Sequence, residues 1–129
     1  MAIAYTRTSD RVRVIHTDDP AYTGEGDGII PAPANVEGLT VFEIRPLNNT
    51  ERQRGYVLTS EGQIGEALAL GVVAALEDGT RTDGDALREY LEGIPHGVAA
   101  DLFRAIAAVS NGPFPLHRLS SSKASPATT

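Results

Sequence analysis

Apolar positions along this chain follow two rhythms, and the change falls near residue 50. Arg11-Val12-Arg13-Val14-Ile15-His16 alternates charged with apolar side chains, the period of two expected of a half-buried strand. Residues 39 to 47 carry the strongest strand signal. Val41, Phe42 and Ile44 are β-branched or aromatic, and Pro46, which has no backbone donor, ends the run. Past that point the spacing becomes three and four. Thr50, with Gln53 reaching back, predicts a helix start, and a short helix follows to Thr59, weakened by Gly55 and Val57. Ser60-Glu61-Gly62-Gln63 is a second capping box, placed ahead of a longer pattern. Ile64, Ala67, Leu68, Gly71, Val72, Ala75 and Leu76 make one stripe, which predicts a single helix. Glu77-Asp78-Gly79-Thr80 would end it on a left-handed glycine cap. Gly71 lies on the stripe, either as a tolerated interior glycine, the preferred reading, or where a neighbouring helix comes close.

Two further helices are predicted downstream. Thr82-Asp83-Gly84-Asp85 opens one with Ala86, Leu87, Tyr90 and Leu91 facing inward, and Gly93 stops it. Val98, Leu102, Ala105, Ile106 and Val109 define the last, which Asn111-Gly112-Pro113 terminates.

Between the two strand signals lie more than 20 residues, with five glycines and prolines from Gly24 to Pro33. That composition predicts an extended arm. The expected fold is therefore mainly α with a small β element: a short helical bundle after an N-terminal strand or hairpin. Residues 1 to 38 form the lead-in with a short strand at 11 to 16, and residues 39 to 112 the strand-plus-helix domain. Residues 113 to 129 form a flexible or partner-bound tail.

Composition narrows what such a fold is for. The 129 residues suffice for one domain with a modest core, and with aromatics at 5% and no Trp that core is built from Ala, Leu, Val and Ile. A formal charge of −6 disfavours nucleic acid and anionic membranes as partners, which leaves another protein. The charge is unevenly placed. Arg118 and Lys123 give the tail +2, so residues 1 to 112 hold −8 and the whole chain sums to −6. There is no cysteine, which removes disulfides, zinc thiolates and thiol nucleophiles. No signal-peptide pattern or membrane-length apolar run is visible, so a cytoplasmic protein is expected.

Candidate chemistry fails on inspection of each motif. Gly24-Glu25-Gly26-Asp27-Gly28 has carboxylates among its glycines and prolines where a phosphate-binding helix should begin. Asp78 to Glu89 has the outer spacing of a calcium loop, but Thr80 and Thr82 replace ligands and Asp83 stands where the turn needs glycine. His16, His96 and His117 are scattered, with no second histidine or carboxylate at i+3 or i+4 in a convincing helical context. A hydrolase would need His96 or His117 beside a carboxylate in a closed pocket. Glu51 with Arg54, Asp85 with Arg88 and Asp101 with Arg104 read as solvated helix faces. No enzyme, cofactor or metal is expected.

The run from Val41 through Ile44-Arg45-Pro46-Leu47 to Thr50-Glu51-Arg52 resembles the small tail assembly chaperones and tail-assembly-like proteins of long-tailed bacteriophages. The likeness extends in order over residues 18 to 110, through Asp18-Asp19-Pro20, the Ala/Leu-rich stretch at 66 to 72, Glu77-Asp78-Gly79 and the closing helices. The resemblance implies a non-enzymatic protein that binds an aggregation-prone partner, the tape measure or tail tube, in the host cytoplasm during assembly. The alternative it leaves is a virion component such as a capsid decoration or head-tail connector, and self-association fits either. Binding would need exposed apolar surface beside solubilising acidic charge. The side chains expected to supply it are Phe42, Ile44 and Arg45 on the strand, Leu68 and Val72 on the long stripe, Leu102 and Ile106 on the last helix, and Phe114 and Leu116 in the tail.

Overall fold

A computed structural model describes residues 10 to 110. Strand β1 (Val12–His16) is followed by β2 (Ile29–Pro31), β3 (Thr40–Ile44), α1 (Asn49–Ser60), α2 (Ile64–Gly71), β4 (Val72–Glu77), β5 (Thr80–Thr82), α3 (Gly84–Glu92) and α4 (His96–Ser110). The strands form one antiparallel sheet in the order β2-β1-β3-β4-β5. About 44% of the described chain is helix and 22% strand, so the mainly helical bundle expected from the sequence is corrected to an α/β fold.

The correction turns on Gly71. Arg45 donates its backbone N–H to the Gly71 carbonyl at 2.8 Å, and from the next residue the chain runs beside β3 as a strand. Val72 and Ala75 both face the helices although they are three residues apart. Ile44 pairs with Val72 and Glu43 with Ala74, so Val73 is an extra residue on its strand and acts as a β-bulge. The bulge shifts the alternation by one and produces the three-residue spacing that imitates a helical face. Leu76 then points to the opposite side of the sheet. Asp78 (φ 49°) and Gly79 (φ 83°) form a two-residue turn with both central residues left-handed, the geometry that joins twisted antiparallel strands. The predicted helix stop is a hairpin turn between β4 and β5.

The two strand signals pair with each other, Val14 opposite Phe42. The arm between them is not structureless: it contributes β2 and covers one side of the sheet. The other side faces the helices, where Val14, Phe42, Ile44, Leu68, Leu91 and Leu102 form the main core. On the outer side Ile15, Leu39 and Val41 form a second, smaller core under Tyr22, Ile30, Ala32 and Val36 of the arm. Asp19 fixes the arm in place, one carboxylate oxygen accepting from the Thr40 N–H at 2.8 Å and the other from the Ala21 N–H at 3.0 Å. Elsewhere on that side Glu43 reaches Arg81 at 2.9 Å and Arg13 at 3.8 Å, a charged row across the strands.

Helix α1 begins two residues earlier than the Thr50 cap predicts, with Asn48 as the cap. The Asn48 side chain accepts from the Glu51 N–H at 2.9 Å and Glu51 accepts from the Asn48 N–H at 3.1 Å, a complete capping box. Arg45 clamps the same glutamate through both nitrogens of its fork, at 2.6 and 3.2 Å. The second predicted box makes no side-chain cap at the start of α2, whose N-terminal flanking residue is Gln63. Helices α3 and α4 lie where the periodicity places them. Leu87 and Leu91 are buried on α3, and Leu102, Ala105, Ile106 and Val109 on α4, whereas Ala86 is exposed.

Candidate functional site

Helix α1 buries only Leu58. So small an apolar contribution does not by itself hold a helix against a core. The capping box and the Arg45 fork anchor its first turn instead. What α1 presents is a groove. On one wall Arg52, Gly55, Tyr56 and Thr59 recur at three-and-one spacing; on the other Ala100, Phe103, Arg104, Ala107 and Ser110 do the same along α4. Leu47, Ala67 and Ile106 complete the lining, which encloses about 400 Å³ and is predominantly apolar. Tyr56 keeps 62% of its surface exposed on this wall, the largest such exposure of a large hydrophobic side chain among the described residues, and Val57 beside it 40%. Arg52 and Arg104 stand at the rim, Arg52 reaching the Tyr56 hydroxyl at 3.4 Å.

Charge at the base of α1 is settled by geometry. The Arg45 guanidinium holds the Glu51 carboxyl below the usual glutamate range, helped by the Asn48 N–H and partly opposed by burial. On the opposite end of the helical layer, burial and the nearby Glu77 carboxylate push the Tyr90 phenol up.

The second polar cluster joins β1 to α4. His16 is 6% exposed, and its Nε2 lies 2.7 Å from Asp101 Oδ2. Its Nδ1 accepts the Asp18 N–H at 3.0 Å, so the ring proton sits on Nε2 and is donated to Asp101. Arg104 reaches the other oxygen of Asp101 at 3.0 Å. With both ring nitrogens engaged, His16 has no atom free to take a proton from a substrate. The pair works as a clasp. No sequence spacing announces it, because its members are 85 residues apart.

The residues expected to touch a partner are distributed unevenly. Phe42, Ile44, Leu68, Val72 and Leu102 are each 3% exposed or less and belong to the core. Arg45 is held by Glu51. Ile106 is 4% exposed and lines the groove. Phe114 and Leu116 lie outside the described residues. The apolar side chains that reach the surface are instead those one step around the same helices: Ala100, Phe103 and Ala107, half-buried, sit beside the buried stripe of α4, and the exposed Tyr56 interrupts a polar α1. That surplus is visible in the sequence as apolar positions that no single core-facing stripe uses. Of the expected helix-face ion pairs, Asp85 with Arg88 and Asp101 with Arg104 form, whereas Glu51 turns to Arg45. Asp78 and Glu89, the ends of the calcium-like spacing, lie at a hairpin tip and on α3. Among the described residues no group of three or more acidic or histidine side chains is placed to hold a metal, and no helix is long and apolar enough to cross a membrane.

Fold and site together define an α/β domain with helices on one side of an antiparallel sheet and an apolar groove between its first and last helices. Comparison of the chain with protein-family models, curated proteins and solved structures finds no match.

Proposed function

We propose that this protein is a non-enzymatic partner in bacteriophage tail assembly that takes an apolar segment of the tape-measure or tail-tube protein into the groove between α1 and α4. The observation that carries the binding reading is that groove, an apolar cleft with an exposed Tyr56 on a helix that buries a single side chain. A cleft of this size suits one or two large side chains, since an apolar cavity of about 150 Å³ holds a benzene ring. The acidic charge of −6 keeps such a surface soluble. The phage assignment rests on the resemblance at residues 41 to 52. The motif there builds the anchored corner from which α1 departs, with Arg45, Asn48 and Glu51 mutually bonded.

Co-purification with the tape-measure and tail-tube proteins of the phage that encodes it tests the reading. One of them is expected to be retained, and Tyr56→Ala is expected to weaken that complex about 30-fold, the effect of losing a central aromatic anchor worth ~2 kcal/mol. Retention of neither removes the proposal. Stoichiometric recovery in mature particles would instead favour a resident virion component.

A further inference from the structure

We infer that the segment taken into the groove is a short amphipathic helix with a carboxylate on each flank of its apolar stripe, an inference that rests on the binding role proposed above. Shape selects the helix. Both walls are themselves helices, whose interior N–H and C=O groups are bonded along their own axes, and the hydroxyls lining the groove are committed in the same way. Thr59 donates to the Gly55 carbonyl at 2.8 Å and Ser110 to the Ile106 carbonyl at 2.6 Å. An extended segment laid there would leave its own backbone groups facing apolar side chains without partners, whereas a helix arrives with them bonded. At 1.5 Å per residue the α1 wall from Arg52 to Thr59 measures about 10 Å and the α4 wall from Ala100 to Ser110 about 15 Å, so about two to three turns fit, with apolar anchors at i, i+3 or i+4, and i+7.

Charge selects the flanks. Of the twelve described residues that line the groove, two are charged, Arg52 on the α1 wall and Arg104 on the α4 wall, and none is acidic. The acids nearest to them along the two helices are engaged elsewhere: Glu51 by the Arg45 fork, and Asp101 by His16 and by Arg104 itself. A guanidinium carries five donors, so the bond from Arg104 to Asp101 does not exhaust it, and the Arg104 side chain is 65% exposed. With the Tyr56 hydroxyl, the groove offers an occupant hydrogen-bond donors and positive charge, which carboxylates complement. A groove-to-groove contact between two copies would instead bring four guanidiniums together, which disfavours self-association through this face.

The test uses the full chain and synthetic peptides of about 15 residues, near the shortest length that holds a helix in water. One carries leucines on a single helical face with glutamates on both flanks, the second has lysine in place of every glutamate, and the third is the glutamate peptide with two central prolines. The glutamate peptide is expected to shift the amide signals of Gly55, Tyr56, Phe103 and Ala107, and to bind at least about fivefold tighter than the lysine peptide in calorimetry. Because the net charge of −6 attracts the lysine peptide at long range, a preference for glutamate reports the groove itself. The proline peptide is expected to lose the shifts. Arg52→Gln with Arg104→Gln is expected to remove the preference while leaving amides away from the groove in place; the peptide comparison on the unaltered chain needs no variant to fold. Equal or tighter binding of the lysine peptide, or of the proline peptide, overturns the inference, as does an absence of shifts at the groove amides. So would decanoate shifting the same amides at lower concentration than the glutamate peptide, which would make the groove a site for small amphiphiles. The same shifts on concentrating the protein alone would make a second copy the occupant and also overturn it. If the glutamate peptide docks as expected and neither phage protein is retained, the proposed function fails and the preference of the groove stands. If a phage protein is retained through Tyr56 while the lysine peptide binds as well as the glutamate peptide, the function stands and this inference fails.

Discussion

Glu51 shows how a single carboxylate places a functional element. It closes the capping box of α1 and receives both arms of Arg45, so the direction in which α1 leaves the sheet is set at one residue. Because its folded-state pKa is depressed, the charge contributes stability that is present above the ordinary value of about 4.5 and disappears as pH falls through the lower folded value. Glu51→Gln keeps a side chain able to complete the box and removes only the charge. It is expected to cost about 0.5–1 kcal/mol at pH 7, a partly exposed pair being discounted for solvent screening. Urea denaturation at a series of pH values should show that difference shrinking steadily below pH 4.5. A constant difference would assign the stability to packing. The sequence predicts a capping box in this corner centred on Thr50, two residues past Asn48, because the Arg45 fork that holds Glu51 in place is not visible in local spacing. His16 is a stronger case of the same limitation: its partner Asp101 reads along the chain as one half of an exposed helix pair with Arg104.

Gly71 decides the identity of two elements. A Cβ there would fall 2.6 to 2.9 Å from three carbons of Ile106, so α2 and α4 meet at a distance that only glycine permits. The close-approach reading of this residue, the less favoured one in the sequence, is what the structure contains. Gly71→Ala is expected to destabilise by about 1–3 kcal/mol through overpacking. Ile106→Ala alone leaves a cavity and also costs stability, but the two together should cost less than their sum by at least about 1 kcal/mol. Additive losses in chemical denaturation would show that the alanine is accommodated elsewhere. The same glycine ends α2, and the sequence hid this because the bulge at Val73 put Val72 and Ala75 on one face at helical spacing. Two signals did point the other way. Val72-Val73 is a β-branched pair, and Asp78-Gly79 is a favoured hairpin turn whose glycine was equally legible as a helix cap.

At the scale of the whole molecule the protein is a sheet covered on both sides by unlike material, four helices on one and an irregular arm on the other. The glycine- and proline-rich stretch that resembles a tether is a cover, because Ile15, Leu39 and Val41 need one and Tyr22 and Val36 provide it. Replacing both, as Tyr22→Ser with Val36→Asp, is expected to lower stability by about 2–4 kcal/mol from lost apolar burial. Binding of a hydrophobic dye to the folded state should rise with it. An unchanged midpoint and no added dye binding would mean the outer core stands without the arm. What the sequence determined by itself is everything local: the alternation of β1 and β3, the stripes of α3 and α4, the low-aromatic core and the acidic charge, each a property of neighbours within a turn or two of chain. Tertiary structure alone decided that residues 72 to 77 are strand, that the arm is a lid, that His16 meets Asp101, and that the apolar surplus of α1 and α4 faces a common gap. Those outcomes depend on which distant segment arrives alongside, since hydrogen-bond partners for a strand and a wall for a groove are supplied across the fold and leave no period in the chain.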